Sequence, residues 1–176
     1  KKPIIFSTGL CNVKDIKILL NFIKSIDQTY IDKKKIALLH CNTSYPTPEM
    51  DANLSNIELL KKFNLPIGYS DHCIGSKILF YSFLKGAQII EKHFSNNIKL
   101  KSFRDHKISL DKNGVNRFLK KLKKESISLN KKKNNLSNSE INQNNFFSFR
   151  RSIYSKKSIN KGELFTEKNI ICLRPY

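Results

Sequence analysis

The stretch Pro66-Ile67-Gly68-Tyr69-Ser70-Asp71-His72 is a short apolar run that ends abruptly in polar, chemically capable residues. The same form occurs three more times. Pro3-Ile4-Ile5-Phe6 runs into Ser7-Thr8-Gly9, Ile36-Ala37-Leu38-Leu39 into His40-Cys41-Asn42-Thr43-Ser44-Tyr45-Pro46, and Ala87-Gln88-Ile89-Ile90 into Glu91-Lys92-His93-Phe94. Buried parallel strands appear as short continuous apolar runs, and in (β/α) barrels the reactive groups sit where the strands end. Helix-length segments separate the runs. The expectation is an α/β fold made of consecutive β-α units, with one catalytic face.

Length limits how much of such a barrel is present. A complete (β/α)8 barrel takes about 250 residues, whereas this chain has 176, so four units amount to half a barrel. There is no initiator Met, the chain opens directly before a strand, and it stops without a closing signal. It is therefore read as a fragment truncated at both ends, inactive on its own. The formal charge is +19, from 33 Lys and Arg against 14 Asp and Glu. The excess is mostly Lys scattered over helices and loops, with no aromatic residues interleaved on a basic platform. Nucleic-acid binding is not expected on that pattern, although a basic field helps to attract an anionic small substrate. Four widely spaced cysteines without a CxxC motif point to reduced thiols and a cytoplasmic setting, and no apolar stretch approaches the ~20 residues of a membrane span.

Along the chain, Ile16, Leu19, Leu20, Ile23 and Ile26 follow the helical period, predicting a helix from Val13 to Ile26 with Asn12 or Asn21 as its cap. Pro46-Thr47-Pro48 marks a loop. A helix near Met50 is expected to turn Leu54, Ile57, Leu59 and Leu60 inward, and Gly86 is the expected stop of the helix after the third strand. Ser109-Leu110-Asp111 opens a last helix. Residues 130–145 are rich in Lys, Asn and Ser, a linker composition. Beyond them, Ser152-Ile153-Tyr154 and Ile170-Ile171-Cys172-Leu173 resemble short strands, with a tight turn at Ile159-Asn160-Lys161-Gly162-Glu163.

His72 and His93 are the strongest chemical pair. Each closes an apolar strand, and neighbouring parallel strands lie about 4.8 Å apart, so the two imidazoles can meet on one ion. Two imidazoles suit Mn, Fe, Co or Zn, and two ligands leave positions open for water and substrate. The alternative is a pair of strand-end histidines hydrogen-bonded to neighbours. Ser7, Thr8, Gly9, Thr43, Ser44 and Ser70 place hydroxyls and N–H groups where barrels bind phosphate, or serve as ordinary turn and cap residues. Asp71 either orients an imidazole or caps a helix. Glu91 and Lys92 are expected in an ordinary rim salt bridge. Asp105 and His106 lie in a loop of the kind that carries specificity.

Taken in order, Lys2-Pro3-Ile4-Ile5-Phe6-Ser7-Thr8-Gly9, Leu38-Leu39-His40-Cys41 through Tyr45-Pro46-Thr47-Pro48, Gly68-Tyr69-Ser70-Asp71-His72 and Ile90-Glu91-Lys92-His93-Phe94 resemble the sialic acid synthase (N-acetylneuraminate synthase) family. Phe149-Arg150-Arg151-Ser152, Ile159 to Glu163 and Leu173-Arg174-Pro175 resemble that family's C-terminal antifreeze-like (SAF) domain. The resemblance implies the C-terminal half of a TIM barrel over residues 1–129, a linker over 130–148 and the beginning of a small β-rich SAF domain over 149–176. It implies an enzyme that condenses phosphoenolpyruvate with N-acetylmannosamine or a related acetamido sugar to give a nine-carbon 2-keto acid. A diacetamido acceptor would give legionaminic or pseudaminic acid instead. The competing reading is a non-catalytic basic binding remnant. The resemblance also implies a divalent metal, typically manganese, on His72 and His93, with Ser70 near phosphoenolpyruvate and Tyr45 and Asp105 on the sugar. Arg174 would reach the partner subunit's site in a homodimer with swapped SAF domains. Two positions depart from the family pattern. Phe103-Arg104-Asp105-His106 stands where Gly-Pro-Asp-His is common, and Thr43 stands where some members carry Asn. The family's glutamates and lysines on the four preceding strands would lie before Lys1.

Overall fold

The apolar runs form strands because their side chains are buried on both faces: β2 (Ile36–Cys41) and β3 (Ile67–Asp71) are buried at every position. With β1 (Ile4–Ser7) and β4 (Ile89–Lys92) they make a parallel sheet in the order β1-β2-β3-β4. The structure is a computed structural model that describes residues 2–99, 104–129, 136–143 and 145–176. Phe103 and residues 130–135 of the expected linker lie outside them.

Between the strands run α1 (Val13–Ile26), the short α2 (Thr29–Asp32), α3 (Asn56–Leu60) flanked by single 3-10 turns, and α4 (Lys77–Leu84). After β4, a 3-10 turn at Arg104–Lys107 precedes α5 (Lys112–Leu129). Asn12 caps α1: its side chain accepts from Lys14 and Asp15 N–H, and the Asp15 carboxylate accepts from Asn12 N–H at 2.8 Å. This reciprocal box satisfies donors that the first turn leaves open. At α5 the Asp111 side chain caps one way only, accepting from Gly114 N–H at 2.6 Å.

Register decides which side chains share a face. Phe6 lies beside Leu38, Leu38 beside Ile67, and Tyr69 beside Ile90. Ile36, Leu38, Ile67 and Tyr69 join Ile16 and Ile23 of α1, Ile57 and Leu60 of α3, Leu79 and Phe80 of α4 and Phe118 of α5 in one core. The helices of this unit therefore cover one face of the sheet. That is the layering of a sector of a (β/α) barrel, not of a doubly wound sheet with helices on both faces.

The expected helix near Met50 is shorter than its pattern implies. Glu49–Ala52 is a 3-10 turn and α3 begins only at Asn56. Ile57 and Leu60 turn inward, but Leu59 is 52% exposed, against expectation. Asn53, in the left-handed conformation at φ 46°, breaks the segment, so one continuous 3.6-residue period does not run through it.

The chain divides into two compact units, Lys1–Leu129 and Asn130–Tyr176. In the second, β5 (Ser152–Ser155) and β6 (Ile170–Leu173) pair antiparallel. The expected turn is present, with Glu163 N–H donating to Asn160 C=O at 3.0 Å. It lies within a longer connection that wraps around Asn169. That side chain is 2% exposed; its amide donates to Glu163 and Leu164, and its oxygen accepts from Thr166 N–H. The segment expected as a linker contains α6 (Asn138–Asn142) and α7 (Asn145–Phe149). Ser137 and Glu140 form a capping box at the start of α6.

Gly68 is required by close packing. A Cβ there would lie 2.2 Å from the Ile89 carbonyl oxygen and 2.4 Å from Leu39 Cδ2. The strand backbone cannot yield, so Gly68→Ala is expected to destabilise by about 3 kcal/mol, the upper end of ordinary overpacking. An unchanged urea midpoint would contradict this.

Candidate active site

Side chains alternate along a strand, so each strand end splits its polar residues between two faces. His40, Asp71 and Lys92 share the helix-covered face with Leu38, Tyr69 and Ile90. Ser7, Cys41, Ser70 and Glu91 occupy the other, concave face, and His72 and His93 continue that alternation one step past β3 and β4.

On the concave side the two imidazoles come together, with ring centroids 5.2 Å apart at an interplanar angle of 64°. Tyr45, from the loop after β2, lies against both. Its ring centroid is 4.0 Å from that of His72 and 6.0 Å, edge-on, from that of His93. Asp105 joins from the turn before α5, its Oδ2 lying 3.6 Å from His93 Nδ1. Tyr45, His72, His93 and Asp105, far apart in sequence, thus form one cluster.

His72 Nδ1 lies 2.6 Å from the Asn42 carbonyl oxygen. A carbonyl can only accept, so Nδ1 carries a proton, which in the neutral ring leaves the lone pair on Nε2. Cys41 Sγ lies 3.8 Å from the same Nδ1. Burial pushes the Cys41 thiol pKa up; a hydrogen bond with Ser70 opposes this and the nearby Glu91 charge adds to it. Cys41 is therefore a neutral thiol packed beside the ring.

The remaining site residues separate. Ser70 donates to Glu91 Oε1 at 2.6 Å, so Glu91 takes a hydroxyl and not the cation expected of a rim salt bridge. Lys92 does form an ion pair, but a buried one: its Nζ is 2.8 Å from Asp71 Oδ2, with side chains 7% and 1% exposed. Asp71 also accepts from Cys73 N–H at 3.0 Å. It neither orients an imidazole directly nor caps a helix. Thr8 and Ser44 donate their hydroxyls to Leu39 C=O at 2.9 Å and Pro46 C=O at 3.2 Å, so those protons are already committed. The Ser7 and Thr43 hydroxyls form no side-chain hydrogen bond among the described residues. Gly9 allows Thr43 to approach, since a Cβ there would meet Thr43 Cγ2 at 2.5 Å. Arg174 belongs to the second unit, with its guanidinium 5.9 Å from the Phe149 ring centroid.

The donor set fits a catalytic divalent ion. Among the described residues no group of three or more His, Cys, Asp or Glu could hold a metal; the His72 and His93 imidazoles are two nitrogen donors that could contribute to such a site. His72 has Nδ1 hydrogen-bonded to a carbonyl oxygen, which orients its ring, and His93 Nδ1 faces the Asp105 carboxylate at 3.6 Å; outer partners of this kind commonly accompany metal-bound histidines. The roles of Asp71 and Lys92 were missed from the sequence. The available signal was that each immediately precedes its histidine.

A NeuB family model matches residues 1–134, and the chain belongs to that family. N,N'-diacetyllegionaminic acid synthase of Campylobacter jejuni subsp. jejuni is 37% identical over 175 residues, covering 99% of this chain and 51% of that protein. Pseudaminic acid synthase of Helicobacter pylori is 33% identical over 176 residues, covering 99% and 49%. The crystal structure of N-acetylneuraminic acid (sialic acid) synthetase from Leptospira borgpetersenii serovar Hardjo-bovis superposes with a TM-score of 0.70 at 32% identity, over 82% of this chain and 48% of that one. The chain spans about half the length of the curated relatives it matches. Its named relatives are synthases of acidic sugars, and the structural likeness makes the parallel sheet a half-barrel.

His40 gives a stability prediction. It is 8% exposed, donates Nε2–H to Ala52 C=O at 2.8 Å, and has its pKa lowered from 6.5 mainly by burial, the carbonyl hydrogen bond opposing. A base with a depressed folded-state pKa is protonated first in the unfolded chain. Its contribution to stability is therefore complete above pH 6.5 and declines as pH falls from there towards the folded-state value. The slope is at most about 1.4 kcal/mol per pH unit. Equilibrium unfolding between pH 7.5 and 5 should show a shallower decline in His40→Gln, whose amide can donate to Ala52 without titrating. Identical slopes would remove His40 as the cause.

Proposed function

We propose that this chain is the metal-binding part of a synthase that condenses phosphoenolpyruvate with the open-chain aldehyde of an acetamido sugar. The observation that supports this best is the cluster of Tyr45, His72, His93 and Asp105 at one rim of the sheet. In the reaction, the enol carbon bonds to the aldehyde carbon, whose oxygen takes a proton. Water adds at C2, and the C–O bond to phosphate breaks to leave a 2-keto acid and inorganic phosphate. A divalent ion such as Mn²⁺ on Nε2 of His72 and His93 would supply Lewis-acid polarisation of the aldehyde oxygen.

The chain's own residues do the positioning. The Asn42 carbonyl holds His72 in the tautomer with Nε2 free, and the Tyr45 ring restrains it from the side. Asp105 faces His93 Nδ1, and its carboxylate is assigned to the sugar hydroxyls. Ser7 and Thr43 are assigned to donate to phosphoenolpyruvate, whereas Ser70, whose proton goes to Glu91, offers only acceptors and is assigned to a water or sugar hydroxyl beside it. The N,N'-diacetyl product in the name of the Campylobacter jejuni relative supports a diacetamido acceptor as the alternative to N-acetylmannosamine. We assign residues 149–176 to the start of a SAF domain, with Arg174 binding the acceptor in the partner subunit of a homodimer. Arginine suits that role because its guanidinium donates a fork of hydrogen bonds.

In the full-length enzyme, phosphate release from phosphoenolpyruvate should depend on the acceptor, stop with chelator and return with Mn²⁺. His72→Ala or His93→Ala should nearly abolish turnover. Each should also weaken Mn²⁺ binding by more than the roughly 10–100-fold that loss of an outer-shell partner costs. Full activity in metal-free protein would defeat this reading.

Arg174→Ala should raise KM for the sugar far more than for phosphoenolpyruvate. Mixed dimers of Arg174→Ala with His72→Ala should regain part of the activity, since one hybrid site holds both intact groups. Mixed dimers that form yet recover nothing would exclude action across the interface.

A further inference from the structure

We infer that the buried Asp71–Lys92 ion pair is a positioning device that sets the relative placement of the His72 and His93 imidazoles. The inference rests on the reading of those histidines as a metal pair. Asp71 and Lys92 are register partners on adjacent parallel strands, and each immediately precedes its histidine. Because side chains alternate, the ion pair closes on the helix-covered face while the imidazoles meet on the concave face. A link between residues 71 and 92 therefore resists sliding of the two strand ends on which the ring contact depends.

The pair also grips the backbone beyond His72. Asp71 Oδ1 accepts from Cys73 N–H at 3.0 Å, and Lys92 Nζ donates to the Cys73 carbonyl. The chain has left the sheet at this point, yet both polar groups of Cys73 are held by the two charged side chains. His72 C=O is tied separately, accepting from Thr47 N–H at 3.0 Å in the loop that carries Tyr45. His72 is thus fastened on both sides of its Cα, which is what a ligand with a fixed approach direction needs.

Stability alone does not explain the pair. With side chains 1% and 7% exposed, both charges pay desolvation, and well-packed apolar residues at such positions are often equally or more stable. Removal of one partner, by contrast, strands a buried charge. These facts separate a structural role from a positioning one. A purely structural pair can be replaced by a hydrophobic pair without consequence for the histidines, whereas a positioning pair cannot.

The test is Mn²⁺ titration of the purified full-length protein by electron paramagnetic resonance, with thermal unfolding alongside. Lys92→Met is expected to lose both stability and Mn²⁺ affinity. The double variant Asp71→Leu with Lys92→Leu is expected to recover the wild-type melting temperature while binding Mn²⁺ at least about 10-fold more weakly, the scale of an outer-shell loss. A double variant that melts as wild type and binds Mn²⁺ as tightly overturns the inference. If the double variant does not fold, Asp71→Asn decides, because it keeps the shape and the acceptor for Cys73 N–H. It should still weaken Mn²⁺ severalfold, and unchanged affinity overturns the inference. If the wild type itself binds no Mn²⁺, the metal reading fails, and histidine ¹⁵N spectra then judge the positioning role independently. His72 should be a single Nδ1–H tautomer in the wild type and a mixture in the variants. A single tautomer in all of them overturns the inference.

Discussion

A strand that is covered by helices on one face only must send successive side chains into two different environments. Everything that distinguishes the rim of this sheet follows from that alternation. At the end of β3, Tyr69 and Asp71 go into the helix layer, while Ser70 and then His72 go to the concave side. At the end of β4, Ile90 and Lys92 go one way and Glu91 and His93 the other. The helix layer takes the residues that hold the rim together, and the concave side takes those that can meet a substrate. A one-residue slip in register would exchange the two sets, bringing the histidines into the core and the ion pair into the open.

Close approach keeps that register in place. With no side chain at Gly68, the Ile89 carbonyl and Leu39 fill the space a Cβ would take. At the edge of the same region Gly9 admits the Thr43 methyl. Both glycines act through what they omit. Neither has a positive φ in this structure, so conformational freedom is not the reason for them. They let neighbouring strand ends and loops pack tightly enough for Tyr45, His72 and His93 to touch.

The strands were legible because a parallel strand buried on both faces needs no alternation and leaves an unbroken apolar run, as in Ile36 to Leu39. The α1 helix was legible from its period, with Asn12 one of two candidate caps; the structure selects Asn12 and completes its box with Asp15. Leu59 was misplaced because a helix as short as α3, entered through left-handed Asn53, does not inherit the phase of the residues before it. The α6 helix carried its own signal in Ser137-x-x-Glu140, which the polar composition around it concealed. At the site, the histidines were legible as residue types at strand ends. Their partners were not, because the Asn42 carbonyl is backbone, and the pairing of Lys92 with Asp71 depends on which face each residue takes.

The hydroxyl groups show how far residue type alone can mislead. Ser7, Thr8, Thr43, Ser44 and Ser70 form a rim that looks uniformly suited to phosphate. Hydrogen-bond geometry divides it. Thr8, Ser44 and Ser70 have already donated their single protons, to two carbonyls and a carboxylate. A hydroxyl has one donor and two acceptor lone pairs, so these three now present only acceptors and would repel a phosphate oxygen unless their present bonds broke. Breaking the Ser70 bond would also strip Glu91 of a charge-assisted partner, the stronger class of hydrogen bond. Under the proposed function, recognition of an anionic substrate would fall on Ser7 and Thr43, whose hydroxyls form no side-chain hydrogen bond among the described residues, and on the cationic field of the chain. Ser70 and Glu91 together are better matched to a donor, such as a water or a sugar hydroxyl, than to phosphate.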